Sequence, residues 1–318
     1  MRRRALLTTP LLAAPALAQP AWPNRPIRAV IPYTPGGATD AMSRLAAQKL
    51  SERLGVPVVP ENRAGGSGTV GGVAVAGALP DGHTILLTAS IHVMARGVLK
   101  SVPYDPVADF TPIARTGQGP LLLLTNPGRA EADIPAVIAA ARREPARWSF
   151  GLSSLGAAGH LASIEFNRLA GLDIPMVPYR GSAPALADIA AGNVQLMLDP
   201  ILAALPLARG GQARALAITR ATRSPIAPEI PTAAEAGMPG LEFFSWYGVW
   251  GPRGLPGEIV ARMNAALREG LAEPAVVQRL AELGFEPVQE SPAEFAAYIA
   301  ADLARNTALL RAANFQPE

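Results

Sequence analysis

The stretch Ile27-Arg28-Ala29-Val30-Ile31-Pro32-Tyr33-Thr34-Pro35-Gly36-Gly37-Ala38-Thr39-Asp40 decides how the chain reads. An apolar run stops at a Pro/Gly turn, and a helical pattern begins at once: strand, tight glycine loop, helix N-terminus. The first turn of a helix carries unpaired N–H groups and a partial positive charge, so such a loop can hold an anion without a cationic side chain. A second unit of this kind lies at 148–170, around Gly151-Leu152-Ser153-Ser154-Leu155-Gly156. Two such loops facing each other would clamp a carboxylate.

Outward from the first loop, Met42, Leu45 and Leu54 mark the apolar side of a helix over 40–54, ended by Gly55 with Pro57 beyond. A short strand at 56–59 leads to the glycine loop Gly65-Gly66-Ser67-Gly68, a small-residue helix at 69–78 and a strand at 84–88, which ends at Ser90. Further strands are expected at 121–125, 148–150, 174–178, 194–198, 213–218 and 243–250, with helices at 133–143, after 156 and at 184–191. Ser291-Pro292-Ala293-Glu294 is a capping box that opens a helix to about residue 312. Alternation of strand and helix predicts an α/β fold with parallel sheets covered on both faces and ligand loops at the carboxyl ends of the strands. Two similar loop–helix units argue for two domains around a cleft, with crossings near 119–126 and 241–250.

The ends and the composition narrow the function classes. Residues 1–18 read as an export signal: Arg2 to Arg4, an apolar run to Pro15, and the cleavage pattern Ala16-Leu17-Ala18. Arg3-Arg4-Ala5-Leu6-Leu7 also resembles a twin-arginine signal. Without the three signal arginines, 25 basic side chains face 25 acidic ones. The remaining charge is balanced, with no basic cluster of the kind that holds nucleic acid. The chain has no cysteine, and its three histidines, His83, His92 and His160, lack metal-ligand spacing. Gly66 to Gly71 matches a dinucleotide fingerprint, but residues 84–104 supply no acid for the ribose, so a turn lining the cleft is the better reading. Ser153 lacks the G-x-S-x-G frame of a nucleophile elbow, because Gly156 comes one residue late. No cofactor, metal or catalytic residue is expected.

Ile31 to Asp40, Glu61 to Gly66, Pro80 to Thr84, Tyr104-Asp105-Pro106, Asp109 to Ile113, Gly151 to Ser154, His160-Leu161, Val177 to Gly181, Glu229 to Thr232 and Trp246 to Gly248 come in an order and spacing with a known parallel. Over nearly the whole chain beyond the signal, they resemble the Bug-type extracytoplasmic solute-binding receptors of tripartite tricarboxylate transporters. The resemblance implies a periplasmic Venus-flytrap fold and non-enzymatic capture of a small carboxylate for delivery to membrane permease subunits, by a monomer. It implies a grip by Tyr33, Gly37, Ala38 and Asp40 from one domain and Ser153, Ser154 and Gly156 from the other. Tyr33 stands where the family often has phenylalanine, and Arg180 where lysine is common.

The residues themselves add Gly36, whose missing side chain lets a carboxylate approach the backbone, and Ser67, Ser90, Tyr179 and Gly181 in the other strand-end loops. Asp199 follows the strand at 194–198, where it would either meet a ligand hydroxyl or amine or serve a local turn, and Trp246 and Tyr247 would either line the pocket wall or hinge or pack in the core. Asp40 is expected to pair locally with Arg44. The expected organisation is a signal at 1–18, one domain from 25–122 and 246–318, and a second from 123–245. The alternatives are a ligand sensor for a signalling partner and a serine hydrolase.

Overall fold

A computed structural model describes residues 22–318; the expected signal and its cleavage site lie outside them. The chain begins with β1 (Ile27–Ile31), α1 (Ala38–Leu54), β2 (Val58–Asn62), α2 (Thr69–Ala76), β3 (Thr84–Ala89) and α3 (Ile91–Val98). The long strand β4 (Phe110–Thr125) follows, then α4 (Ile134–Arg143), β5 (Phe150–Leu152), α5 (Ala158–Ala170), β6 (Met176–Pro178), α6 (Ser182–Ala191), β7 (Leu196–Pro200), α7 (Ile201–Arg209) and β8 (Arg214–Ile218). Last come β9 (Phe244–Pro252), α8 (Gly257–Leu271), α9 (Pro274–Glu282), β10 (Glu286–Pro287) and α10 (Pro292–Ala312).

The strands form two sections that share β4, in the order β2-β1-β3-β9-β4 and then β4-β7-β5-β6. β4 pairs with β9 from Phe110 to Pro120 and with β7 from Leu121 onward, so it passes from one section to the other between Pro120 and Leu121. Each section is covered on both sides. Ile27, Ala29 and Ile31 of β1 enter one apolar cluster and Val30 the other; Leu122 and Leu124 of β4 likewise oppose Leu121 and Leu123. That period of two places every one of these side chains in a core.

The expectation of parallel sheets holds for β2-β1-β3 and for β6-β5-β7. It fails for β4, β8, β9 and β10, whose pairings are antiparallel. These include the two long strands that tie the sections together, where no βα unit dictates direction. Residues 110–120 of β4 look like loop in sequence because of Pro112, Gly117, Gly119 and Pro120. The strand accommodates them with register shifts at Pro112/Ala114 and Arg115/Gly117. A Cβ on Gly119 would lie 2.8 Å from the Phe285 ring, so the small residue there serves close packing of the chain leading into β10. The capping box appears as read: Ser291 Oγ accepts from the Glu294 amide, and Glu294 returns the bond to the Ser291 amide (2.8 Å).

Candidate functional site

Five helices start at one cavity between the sections. α1, α3, α5, α6 and α7 each follow a strand, and residues at each start line the space: Gly37 to Asp40, Ser90 and Ile91, Ala157 to Gly159, Gly181 and Ser182, and Pro200. None of the five has a side-chain cap. The two side-chain caps found among the described helices, Asp133 on α4 and Ser291 on α10, sit elsewhere. The first N–H groups of a helix have no carbonyl four residues back to bond. Here several sets of them border one small space, each with the positive end of its helix dipole.

Among the described residues Asp40 is the only charged one that lines this cavity, and it is occupied. Its Oδ2 accepts from Arg44 Nε (2.9 Å) and the Gly36 amide (3.2 Å), and its Oδ1 accepts from Asn62 Nδ2 (2.9 Å). Burial alone would raise this carboxyl, but those hydrogen bonds outweigh it and hold the group below its ordinary value. Asp40 therefore braces the first loop, as the local-pair reading expects. No lysine, arginine or histidine borders the cavity among the described residues.

Of the residues expected to meet ligand, Tyr33, Gly37, Ala38, Asp40, Ser90, Ser153, Ser154 and Gly181 all border the cavity. Ser67 and Tyr179 border an adjoining groove that shares Tyr33 and Ser154. There the Tyr33 hydroxyl donates to the Ser67 carbonyl (3.1 Å) and the Tyr179 hydroxyl to Asp188 (2.6 Å). Gly36, Gly156 and Asp199 do not border the cavity: Gly36 is exposed on the loop and gives its amide to Asp40, while Gly156 and Asp199 stand behind the wall. The Gly156 amide is spent on His160 Nδ1 (2.9 Å), and its left-handed backbone (φ +79°) packs the loop so tightly on α3 that a Cβ would lie 2.9 Å from Val98. Asp199 lies within β7, fully buried, one layer below Ser182.

Tyr247 borders the cavity, whereas Trp246, expected on the pocket wall or hinge with it, turns to the opposite face of β9 and donates its indole N–H to Asp302 (3.2 Å). Thr34, Thr39, Ser182 and Ser245 also border the cavity and are not among the residues expected from sequence, although Ser245 shares the Tyr247 face of β9 by alternation. Ser182 lies at the first position of α6, which begins two residues before the expected start.

The cavity holds only about 50 Å³. At roughly 10–15 Å³ for each water-sized sphere, that is space for a few waters. The two sides also touch, since Thr34 Oγ1 donates to the Arg180 carbonyl (3.2 Å) and a Cβ on Gly181 would lie 2.7 Å from Thr34 Oγ1.

The family described as the tripartite tricarboxylate transporter family receptor matches residues 42–315. The chain belongs to this family. The receptor is 37% identical to Protein BugT of Bordetella pertussis, over 96% of its own length and 94% of that protein. It superposes with a TM-score of 0.89 on an R. palustris protein solved with adipate, at 38% identity over 93% of this chain and all of that one. MatC from Rhodopseudomonas palustris with bound malate gives 0.86 at 33% identity, over 91% of this chain and all of that one. The receptor thus has the periplasmic binding protein fold, and its work is solute binding rather than catalysis. The serine-hydrolase alternative falls with that assignment. His160, the histidine nearest Ser153 in sequence, instead accepts the Gly156 amide.

His160 also predicts an acid sensitivity. Burial lowers its pKa from 6.5 to about 4, so it is neutral at pH 7 and free to accept that amide. The unfolded chain binds this proton more readily than the folded one. The stability His160 contributes is complete above about pH 6.5 and drains away as pH falls toward 4. Melting curves from pH 7 to 4 should show wild type losing stability more steeply than His160→Gln, which cannot titrate. Parallel losses would remove His160 from the account.

Proposed function

We propose that the receptor captures a small organic carboxylate in the cavity between its two lobes and grips it mainly with backbone amides at the starts of α1, α5 and α6. The observation that carries this reading is a space ringed by helix starts without side-chain caps and bordered, among the described residues, by no cationic side chain. The ligand set is the bordering group already named, with Ser67 and Tyr179 serving the adjoining groove and Gly36, Gly156 and Asp199 supporting the wall. The lobes comprise 25–122 with 246–318, and 123–245; β4 and β9 act as the hinge. A charged group beside a helix start gains up to about 2 kcal/mol when partly buried, so a few such ends together with hydrogen bonds to an ionised carboxylate, at about 1.5–3 kcal/mol each, suffice for useful affinity. The relatives solved with adipate and with malate support a dicarboxylate of that size. We assign the mature protein to the periplasm as a monomer, exported by a signal cleaved after Ala18, whose closed form docks on membrane permease subunits.

A thermal-shift and tryptophan-fluorescence panel of dicarboxylates, hydroxy acids, aromatic acids and amino acids tests this. A ligand that binds only the folded state stabilises it by about 2.7 kcal/mol at a hundred times its Kd. At least one carboxylate should raise the melting temperature, and its neutral diamide should not. A diamide as effective as the acid would overturn the anion grip.

A further inference from the structure

We propose that Asp199 is a specificity-determining group of this site: it stands as a carboxylic acid beneath the bound guest, and capture of an anion is completed by uptake of one proton from solvent onto its carboxylate. The inference rests on the carboxylate reading above and adds a charge-selecting device to it.

Asp199 is 0% exposed and pairs in register with Leu122 of β4. Its Oδ1 accepts from Ser182 Oγ (2.9 Å), while Oδ2 is buried without a partner among the described residues. Ser182 and Tyr247 both border the cavity, so the carboxyl lies directly behind its wall. Burial is what chiefly raises the Tyr247 phenol, with the nearby Asp199 adding to it, and the phenol oxygen accepts from Ser245 Oγ (3.0 Å).

The groups that face Asp199 offer it no counter-charge. β4 presents Leu122, α6 presents Ser182, and β9 presents Tyr247, which is itself a latent anion. Across the cavity, α1 presents Asp40, already paired with Arg44. Among the described residues no arginine, lysine or histidine contributes to the field at Asp199. A buried carboxylate with one hydrogen bond and no cation is costly, and such a group avoids the cost by keeping its proton. Burial accordingly pushes Asp199 up to about 7, against the opposing pull of Ser182. At neutral pH the free receptor holds both forms. A guest carboxylate beyond Ser182 adds a like charge, which disfavours the ionised form further. The bound state therefore holds more of the proton than the free state.

The sign follows from linkage. Where binding takes up a proton, affinity falls as pH rises through the free-state value, by up to tenfold for each pH unit. Adipate and malate are fully ionised at neutral pH and above, so they contribute no protons of their own to that range. The wall then penalises a second negative group of the guest placed against Tyr247, above Asp199.

Titration calorimetry on the mature full-length receptor, with adipate and then malate as probes, tests the proposal. Near pH 7.5 the apparent enthalpy in phosphate and in Tris should differ by an amount equal to a substantial fraction of a proton taken up. Affinity should fall about tenfold between about pH 6.5 and about pH 8.5. Asp199→Asn should bind with neither dependence. Infrared difference spectra of wild type provide a readout that needs no variant: the carbonyl stretch of a buried carboxylic acid should grow when the probe is added. Binding without proton uptake and without that band overturns this proposal and leaves the carboxylate reading standing. A proton uptake that survives in a folded Asp199→Asn protein assigns the proton elsewhere and also overturns it. Failure of both probes to bind removes the anion the proposal requires and overturns both.

Discussion

Gly37→Val should abolish carboxylate binding while leaving the receptor folded. Gly37 immediately precedes α1 with an ordinary φ of −88°, so backbone strain does not forbid a side chain there. A Cβ at this point would lie 3.9 Å from both Cβ and Oγ of Ser182, across the cavity. One methyl fits that gap at van der Waals contact, so Gly37→Ala should weaken binding only modestly. The two further methyls of valine enter the space needed by the guest and by the facing lobe. Overpacking of about 1–3 kcal/mol, together with loss of one or two charge-assisted hydrogen bonds, amounts to a hundredfold loss of affinity or more. The melting temperature of the unliganded protein should stay within a few degrees. Valine binding as tightly as alanine would show that the first loop is not part of the grip.

Gly159→Ala should be the most destabilising conservative change in the site. Alanine favours a helix over glycine by about 1 kcal/mol, which would make this a stabilising change on an exposed helix. Here a Cβ would lie 2.0 Å from the Leu198 carbonyl oxygen, a backbone atom of β7 that cannot swing aside. The clash wins: α5 must lift from β7, at a cost of about 3 kcal/mol or more. For a chain of this size that is a fall in melting temperature of roughly 6–10 °C. The same shift displaces Pro200 and the α5 start from the cavity wall, so affinity should fall as well. A melting temperature equal to or above wild type would contradict the α5–β7 packing described.

These glycines show how far the sequence is legible. Gly36 and Gly37 announce the first loop because they stand between a clear strand and a clear helix, and α1 and its Gly55 stop follow from spacing alone. Gly159 gives no such signal, since its reason is a contact with Leu198 on another element. The same limit explains β4: its second half is a run of four leucines, while the first half hides behind prolines and glycines that only the neighbouring β10 and Phe285 justify. α3 was read as mere loop after Ser90, because its eight residues mix His92 and Arg96 among apolar ones. Most of the polar wall was found by asking which residues end strands. Ser245 gives no such signal, because it lines the cavity from within the long strand β9 rather than from a strand end. Asp199 was recognised as belonging to the site, but its depth follows from tertiary packing that no local pattern encodes.

The central claim is that main-chain amides, rather than arginine or lysine, neutralise the guest. A crystal structure of the receptor with adipate tests it most directly. The account predicts one carboxylate within about 2.7–3.2 Å of amide nitrogens in the first turns of α1 and of α5 or α6, directly or through one ordered water, with no guanidinium or ammonium in contact with that group. Adipate seated outside this cavity, or held there by Arg44 or Arg180 swung inward, would contradict it.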